Sequence, residues 1–405
     1  MRTTGAPGPL LRLALLASAL AAGLVVASAA LELGRAHWVA ALVALPLLVA
    51  VLAASLVAYP RLVPAAAVAT VAMLLAIATG GLVAWAEAGW SLAIHVAAAG
   101  GALAAALVLL ALSLRGEPLP FGPWRDYVTL TKPRIMSLLL LTGAAGMFVG
   151  AGGVPDGTAL AAMLLGLALA CGGASALNHV FDCDIDRLMG ERTASRPVAS
   201  GRVPAPRALE FGLVLSALSF ALLASTVNVL TAVLALAGNL FYVVVYTGYL
   251  KRSTDQNIVI GGAAGAVPPL VGYAAASGNL ALPALWLFLI VFLWTPPHFW
   301  ALALMLKEHY QAAGVPMLPG TRGEEETTRQ ILLYSLALVG FTILVGLWLG
   351  VVYTVAAALL GGYLVHLAQR LRAVTSRRNA VVLFHYSLAY LALLFVAAAI
   401  DPVLV

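Results

Sequence analysis

The chain has 405 residues, of which 63% are hydrophobic and only 9% charged, with a mean hydropathy of +1.02. Soluble domains are roughly half apolar and about a quarter charged, so a soluble enzyme is excluded, and the polar loops are too short to hide a soluble domain. The net charge of +6 and pI near 9.5 report how the chain sits in a lipid bilayer, as the loop charges show, and not nucleic-acid binding.

Apolar stretches long enough to cross a hydrocarbon core of about 30 Å recur along the whole length. They predict an all-α polytopic membrane protein with about thirteen spans. Four lie near 9–31, 37–59, 62–86 and 91–113. Nine follow near 135–153, 158–180, 208–226, 229–249, 257–277, 282–305, 330–351, 353–371 and 380–400. The first is long, Ala/Leu-rich and followed at once by another span, which favours a retained helix over a cleaved leader. The expected division is a four-helix extension over 1–118 and a nine-helix domain over 119–405. With the N-terminus inside and strict alternation, all of the 22 Lys and Arg residues except Arg35 fall inside, a strong positive-inside bias. The expectation is a cell inner (plasma) membrane protein with a cytoplasmic N-terminus. Cys171 and Cys183 are the only cysteines, and their spacing fits neither a disulfide framework nor a zinc site.

Three inside loops hold most of the polar chemistry, so an active site is expected to open at the cytoplasmic face. In "NHVFDCDIDRLMGERTASRP" (178–197), Asn178, Asp182 and Asp186 recur every four residues. On a helix this is one face, with neighbours about 5–6 Å apart. Mg²⁺ takes oxygen ligands, typically one or two carboxylates plus substrate phosphates, so the face suits a metal bridging protein and diphosphate. The bland alternative is a solvated helix end, or carboxylates paired with Arg187 and Arg192. In "YTGYLKRSTDQNIVIGG" (246–262), Lys251, Arg252 and Asn257 lie among hydroxyl groups and can grip phosphate oxygens. Alone, they equally suit a positive-inside anchor. In "LWTPPHFWALALMLKEHYQAAGVPMLP" (293–319), Pro296 and Pro297 interrupt a span beside His298. That histidine suits a metal or porphyrin ligand, a proton carrier, or a packed polar residue bonded to carbonyls freed by the prolines.

Here the chain resembles a known family. The last 285 or so residues are similar to protohaem IX farnesyltransferases, the haem O synthase branch of the intramembrane (UbiA-type) prenyltransferase superfamily. The resemblance rests on "TKPRIM" (131–136), the 178–197 stretch, "YTGYLKRSTDQNIVIGGAAGAVPPLVGY", and "TPPHFWALAL" followed by "AGVPMLP", in family order. It implies a nine-helix bundle around a cavity, with farnesyl diphosphate and haem B as substrates and Mg²⁺ as cofactor. By resemblance, Asn178, Asp182 and Asp186 would hold the metal, and Lys251, Arg252 and Asn257 would hold the phosphates. Arg192 and Arg196 match the family pattern and would assist the diphosphate. The second aspartate motif frequent in the wider superfamily is missing, which puts a second carboxylate-bound metal in doubt. A dry, aromatic-lined cavity would shelter the allylic cation, with Tyr242, Tyr246, Phe292 and Trp294 as candidates.

The first four spans carry two histidines, His37 and His95, both toward the outer face in this topology. Facing histidines in a four-helix bundle can bind haem iron. The segment also weakly resembles one half of haem A synthase, which makes that enzyme a candidate partner. The bland reading is a stabilising module. Two competing functions remain open: a prenyltransferase acting on a quinone precursor or chlorophyllide, and a haem-binding transport or assembly protein.

Overall fold

The computed structural model describes residues 7–30, 34–86, 89–114 and 122–404, with the backbone alone described for parts of the first four helices and at residue 192. Four apolar helices come first: α1 (Pro9–Ala30), α2 (Gly34–Val57), α3 (Val63–Ala86) and α4 (Gly89–Ser113). Each packs on its sequence neighbour and α4 returns to α1, closing a four-helix bundle.

A short helix, α5 (Trp124–Leu130), leads into α6 (Pro133–Ala151) and α7 (Gly157–Phe181). Pro133 starts α6, where its missing N–H costs nothing, and the Asp156 carboxylate caps α7 by accepting from Ala159 N–H at 2.8 Å. Two short helices follow, α8 (Cys183–Leu188) and α9 (Glu191–Ala194), and then α10 (Ala205–Thr226). The helix α11 (Val229–Leu240) passes into a π-helix over Phe241–Leu250 and ends as α12 (Lys251–Ser253). After α13 (Asn257–Gly265) and α14 (Val267–Ser277) comes α15 (Leu282–Met305), which runs unbroken through Pro296 and Pro297. Short helices α16 (Lys307–Ala312) and α17 (Leu318–Thr321) precede α18 (Gly323–Leu349), α19 (Val351–Ala373) and α20 (Arg377–Leu404).

Each of the thirteen expected spans coincides with helix. Among the described residues, eleven helices are long and apolar enough to cross a membrane, while Pro9–Val25 and Ala97–Leu110 are shorter apolar stretches. Neighbour follows neighbour from α7 round to α20, and α20 packs back on α6. Backbones approach closely where α6 meets α14: a Cβ on Gly272 would stand 1.8 Å from the Gly143 carbonyl oxygen. Small residues at such seams let helix backbones touch without a hydrophobic drive between them.

The four-helix bundle docks chiefly through α2 on α10. The seam buries Arg207 and Glu210 almost completely. Arg207 donates to both Glu210 oxygens at 2.8 and 2.9 Å, and Gly8 N–H donates to Glu210 Oε1 at 2.9 Å. The Tyr59 hydroxyl donates to the same oxygen. Buried charges are costly unless their hydrogen bonds are satisfied, and here residues of the extension satisfy a carboxylate carried by α10.

Candidate active site

The turn between α7 and α8 keeps helical pairing: Asp182 N–H donates to the Asn178 carbonyl and Asp186 N–H to the Asp182 carbonyl, both at 2.8 Å. Asn178, Asp182 and Asp186 therefore share one face, and all three are buried. Asp184 points the other way, with its side chain 65% exposed.

Three cations meet the buried face. Lys251 Nζ donates to Asp182 Oδ2 at 2.7 Å, and Arg196 Nη1 to Asp186 Oδ1 at 2.6 Å. Lys132 Nζ donates to Asn178 Oδ1 at 2.7 Å. Asn178 Nδ2 in turn donates to Asp182 Oδ2 at 2.8 Å and to Thr247 Oγ1 at 3.1 Å. Burial, then the repulsion of Arg196, brings the Lys132 ammonium down to about 7. Burial also raises the Asp186 carboxyl, against the pull of Arg196.

Two carboxylate oxygens, Asp182 Oδ1 and Asp186 Oδ2, are buried without any hydrogen-bond partner. Orphaned oxygens of this kind demand an explanation, and a hard divalent cation is one they fit. Among the described residues no group of three or more His, Cys, Asp or Glu side chains is arranged to hold a metal. The protein would thus supply two carboxylates, leaving most of the shell to phosphate and water. Asn178 Oδ1 accepts from the Lys132 ammonium and keeps a second lone pair, so the amide oxygen stays in the expected ligand set beside the two carboxylates.

Two further expected phosphate residues lie outside this knot of bonds. Arg252 spends its guanidinium on Asp184, with two bonds of 2.7 Å, and on the Phe181 carbonyl at 2.7 Å. The first of these partnerships pulls the Asp184 carboxyl down to about 2. Asn257 is fully buried and donates to the carbonyls of Thr254 (2.6 Å) and Pro316 (3.2 Å), with Oδ1 unpartnered. It ties the α16–α17 segment to the start of α13. The Arg192 side chain lies outside the described residues.

The fold now has relatives. Residues 139–388 match the model of the UbiA prenyltransferase family. The chain belongs to the UbiA prenyltransferase family. A protoheme IX farnesyltransferase from Symbiobacterium thermophilum is 52% identical over 282 residues, 68% of this chain and 94% of that protein. One from Roseiflexus sp. (strain RS-1) is 49% identical over 293 residues, 72% of this chain, but this chain spans only 54% of that protein's length. The solved structure of a UbiA homolog from Archaeoglobus fulgidus bound to GPP and Mg²⁺ shares the fold, with a TM-score of 0.52 at 17% identity, covering 67% of this chain and 99% of that one.

In this UbiA-family chain the π-helix carries two tyrosines that count Asp182 among their electrostatic neighbours. Tyr242 and Tyr246 stack with centroids 5.6 Å apart. Trp294 instead enters the α15–α20 packing, where its Nε1–H donates to the Ser387 carbonyl at 2.7 Å, and Phe292 stacks on Phe288. His298 is sandwiched between Trp294 and Phe384, at 4.4 and 4.6 Å between centroids, with Nδ1 2.7 Å from Ser387 Oγ. The ring is thus packed between aromatics, with Ser387 of α20 as its hydrogen-bond partner. In the extension, His95 is buried with Nδ1 3.1 Å from Thr79 Oγ1. The His37 side chain lies outside the described residues, so the two-histidine haem site does too.

Three residues with no role assigned from sequence lie in or beside this knot of bonds. Lys132 is the only described non-glycine residue with positive φ (50°), a strain typical of functional positions. Its place before Pro133 in "TKPRIM" was a visible signal of non-helical backbone, because the residue before a proline is disfavoured in the right-handed helical region; the left-handed conformation itself was not legible. Thr247 had no signal. His179, beside Asn178, is buried with neither ring nitrogen partnered, and its electrostatic neighbours are Lys132 and Arg196.

Proposed function

We propose that this chain transfers the farnesyl group of farnesyl diphosphate to a vinyl group of haem B, with addition of water, giving haem O and diphosphate. The observation that carries the reading is the buried knot in which Lys132, Lys251 and Arg196 surround Asp182 and Asp186. Cations held against buried, fixed carboxylates suit an anion that gains charge during reaction. The acceptor is supported by the relatives, which are protoheme IX farnesyltransferases about 50% identical to this chain. The nine-helix domain from residue 119 would carry the chemistry and the four-helix extension would brace it, with the charged end facing the cytoplasm across an inner membrane.

In the reaction the C1–O bond of farnesyl diphosphate breaks and its electron pair leaves with diphosphate. Lys132, Lys251 and Arg196 face that growing charge. Asp182 and Asp186 would hold Mg²⁺, which when bound would neutralise the diphosphate and favour its departure. The stacked faces of Tyr242 and Tyr246 would shelter the allylic cation from water. The vinyl π electrons then bond to C1. Water captures the resulting cation beside the porphyrin, and its proton passes to the diphosphate.

The test is an assay of the purified protein with haem B, farnesyl diphosphate and Mg²⁺, with haem followed by mass spectrometry. The expected product has gained farnesyl plus water, and is absent with Asp182→Asn or with chelator. Prenylation of a quinone precursor with haem left unchanged would overturn the acceptor and keep the reaction class.

A further inference from the structure

A cavity of about 510 Å³ lies on the far side of α8 from the Asp182–Asp186 knot, within the ~300–1,000 Å³ range of ligand pockets. Its walls come from both parts of the protein. Val57, the last residue of α2, faces Val180 of α7 and Leu209 of α10, and Asp184, Arg187 and Arg252 line the charged end. Without the four-helix extension this wall would be missing. Phe181 and Leu188, beside it, expose 43% and 60% of their surface, as side chains meeting lipid do.

The charges select the occupant. Arg252 is neutralised by the two-bond clasp with Asp184. Arg187 donates Nε–H to the Ala199 carbonyl at 2.9 Å, and its two terminal amino groups have no partner among the described residues. The cavity therefore offers one uncommitted guanidinium fork above an apolar wall. A fork of this shape matches two oxygens of one phosphate. A phosphodiester with a single negative charge balances it, whereas a diphosphate would bring excess charge against the Asp184 carboxylate.

We propose that this seam holds one anionic glycerophospholipid from the bilayer, its phosphate on Arg187 and an acyl chain along Val57, Val180 and Leu209. The site is separate from the diphosphate site and does not depend on the haem reading. The lipid fills a gap beside the end of α2, where Val57 meets α7 and α10, so it acts as a mortar between the two parts.

The experiment is native mass spectrometry of the delipidated full chain in detergent, titrated with phosphatidylglycerol or phosphatidylcholine. Wild type should retain one phosphatidylglycerol in preference to phosphatidylcholine. Arg187→Gln should weaken that binding about tenfold or more, as loss of a charged hydrogen bond does, and Arg187→Lys should restore part of it. Val57→Trp, which keeps every charge but blocks the apolar wall where the acyl chain would lie, should also weaken it. Unchanged binding in both Arg187→Gln and Val57→Trp would overturn the site. A further arm adds farnesyl diphosphate with chelator: if it displaces phosphatidylglycerol from wild type at equal concentration, and its own binding is lost in Arg187→Gln, the lipid assignment falls. Retained haem farnesylation in the Arg187 variants would keep the two sites distinct.

Discussion

Lys251 Nζ stands 2.7 Å from Asp182 Oδ2, a buried ion pair between side chains 69 positions apart. It fastens the end of the π-helix to the start of α8. Removing one partner strands the other charge, so Asp182→Asn and Lys251→Met should each lower turnover by about 10²–10³-fold. Because they share one interaction, the double variant should be much less impaired than the product of the two losses. Steady-state kinetics on all three variants checks this; full additivity would show that the pair does not act as a unit.

Metal use is expected to separate the acids from the amide. Asp186→Asn removes the orphaned Oδ2 and should raise the Mg²⁺ needed for half-maximal activity by at least about tenfold. Asn178→Ala acts on Lys132 and should raise KM for farnesyl diphosphate, with a smaller rise in the Mg²⁺ requirement than Asp186→Asn. A Mg²⁺ titration of both variants decides between these roles.

The α16–α17 segment is clasped by Asp255 and Arg322, with Arg322 Nε 2.5 Å from Asp255 Oδ2. Hydrogen bonding from Arg322 holds the Asp255 carboxyl below its ordinary 3.8. A depressed carboxyl favours the folded arrangement above the unfolded pKa, and the contribution is lost as pH falls through the folded value. The clasp should hold at neutral pH, begin to weaken below about pH 4 and be lost only once the pH falls below the depressed folded value. Limited proteolysis between residues 306 and 322 should show wild type protected at pH 7 and Asp255→Asn cut faster. Equal protection of the two at pH 7 would remove the clasp from the account.

At the seam, Glu210→Gln leaves Arg207 buried without its counter-charge and should destabilise the protein by about 3–5 kcal/mol. The loss should appear as earlier thermal unfolding in detergent and faster cleavage between the four-helix bundle and α5. Wild-type behaviour would mean that the extension is held by apolar packing alone.

The α6–α14 contact gives a backbone test. A Cβ on Gly272 would collide with the Gly143 carbonyl, so Gly272→Ala should cost about 1–3 kcal/mol through forced separation of the helices. Gly265, whose Cβ would meet nothing within 4 Å, should tolerate the same change.

Much of this was legible in the residues. Helix placement follows from apolar run length, because a bilayer admits few alternatives to the helix. The shared face of Asn178, Asp182 and Asp186 follows from their spacing, as does the opposite direction of Asp184. The partners of those residues were not legible. Arg252 follows Lys251 directly, yet one reaches Asp182 and the other Asp184, because successive residues on a helix point about 100° apart and only the packed α7–α8 end fixes which acid each one meets. Asn178 carries an oxygen that suits a metal, and nothing in the local sequence showed that Lys132, 46 positions away, donates to it.

By itself the sequence determined an all-helical membrane protein, its family motifs and an acidic face meeting basic loops, since these depend on composition and on contacts between near neighbours. Only the tertiary structure decided that Lys132 and Thr247 complete the knot, that His298 is packed between rings, and that α2 closes a cavity on α7 and α10. Those facts depend on helices distant in sequence meeting at particular rotations. A polar group's role in a dry interior is set by whichever partner satisfies it there.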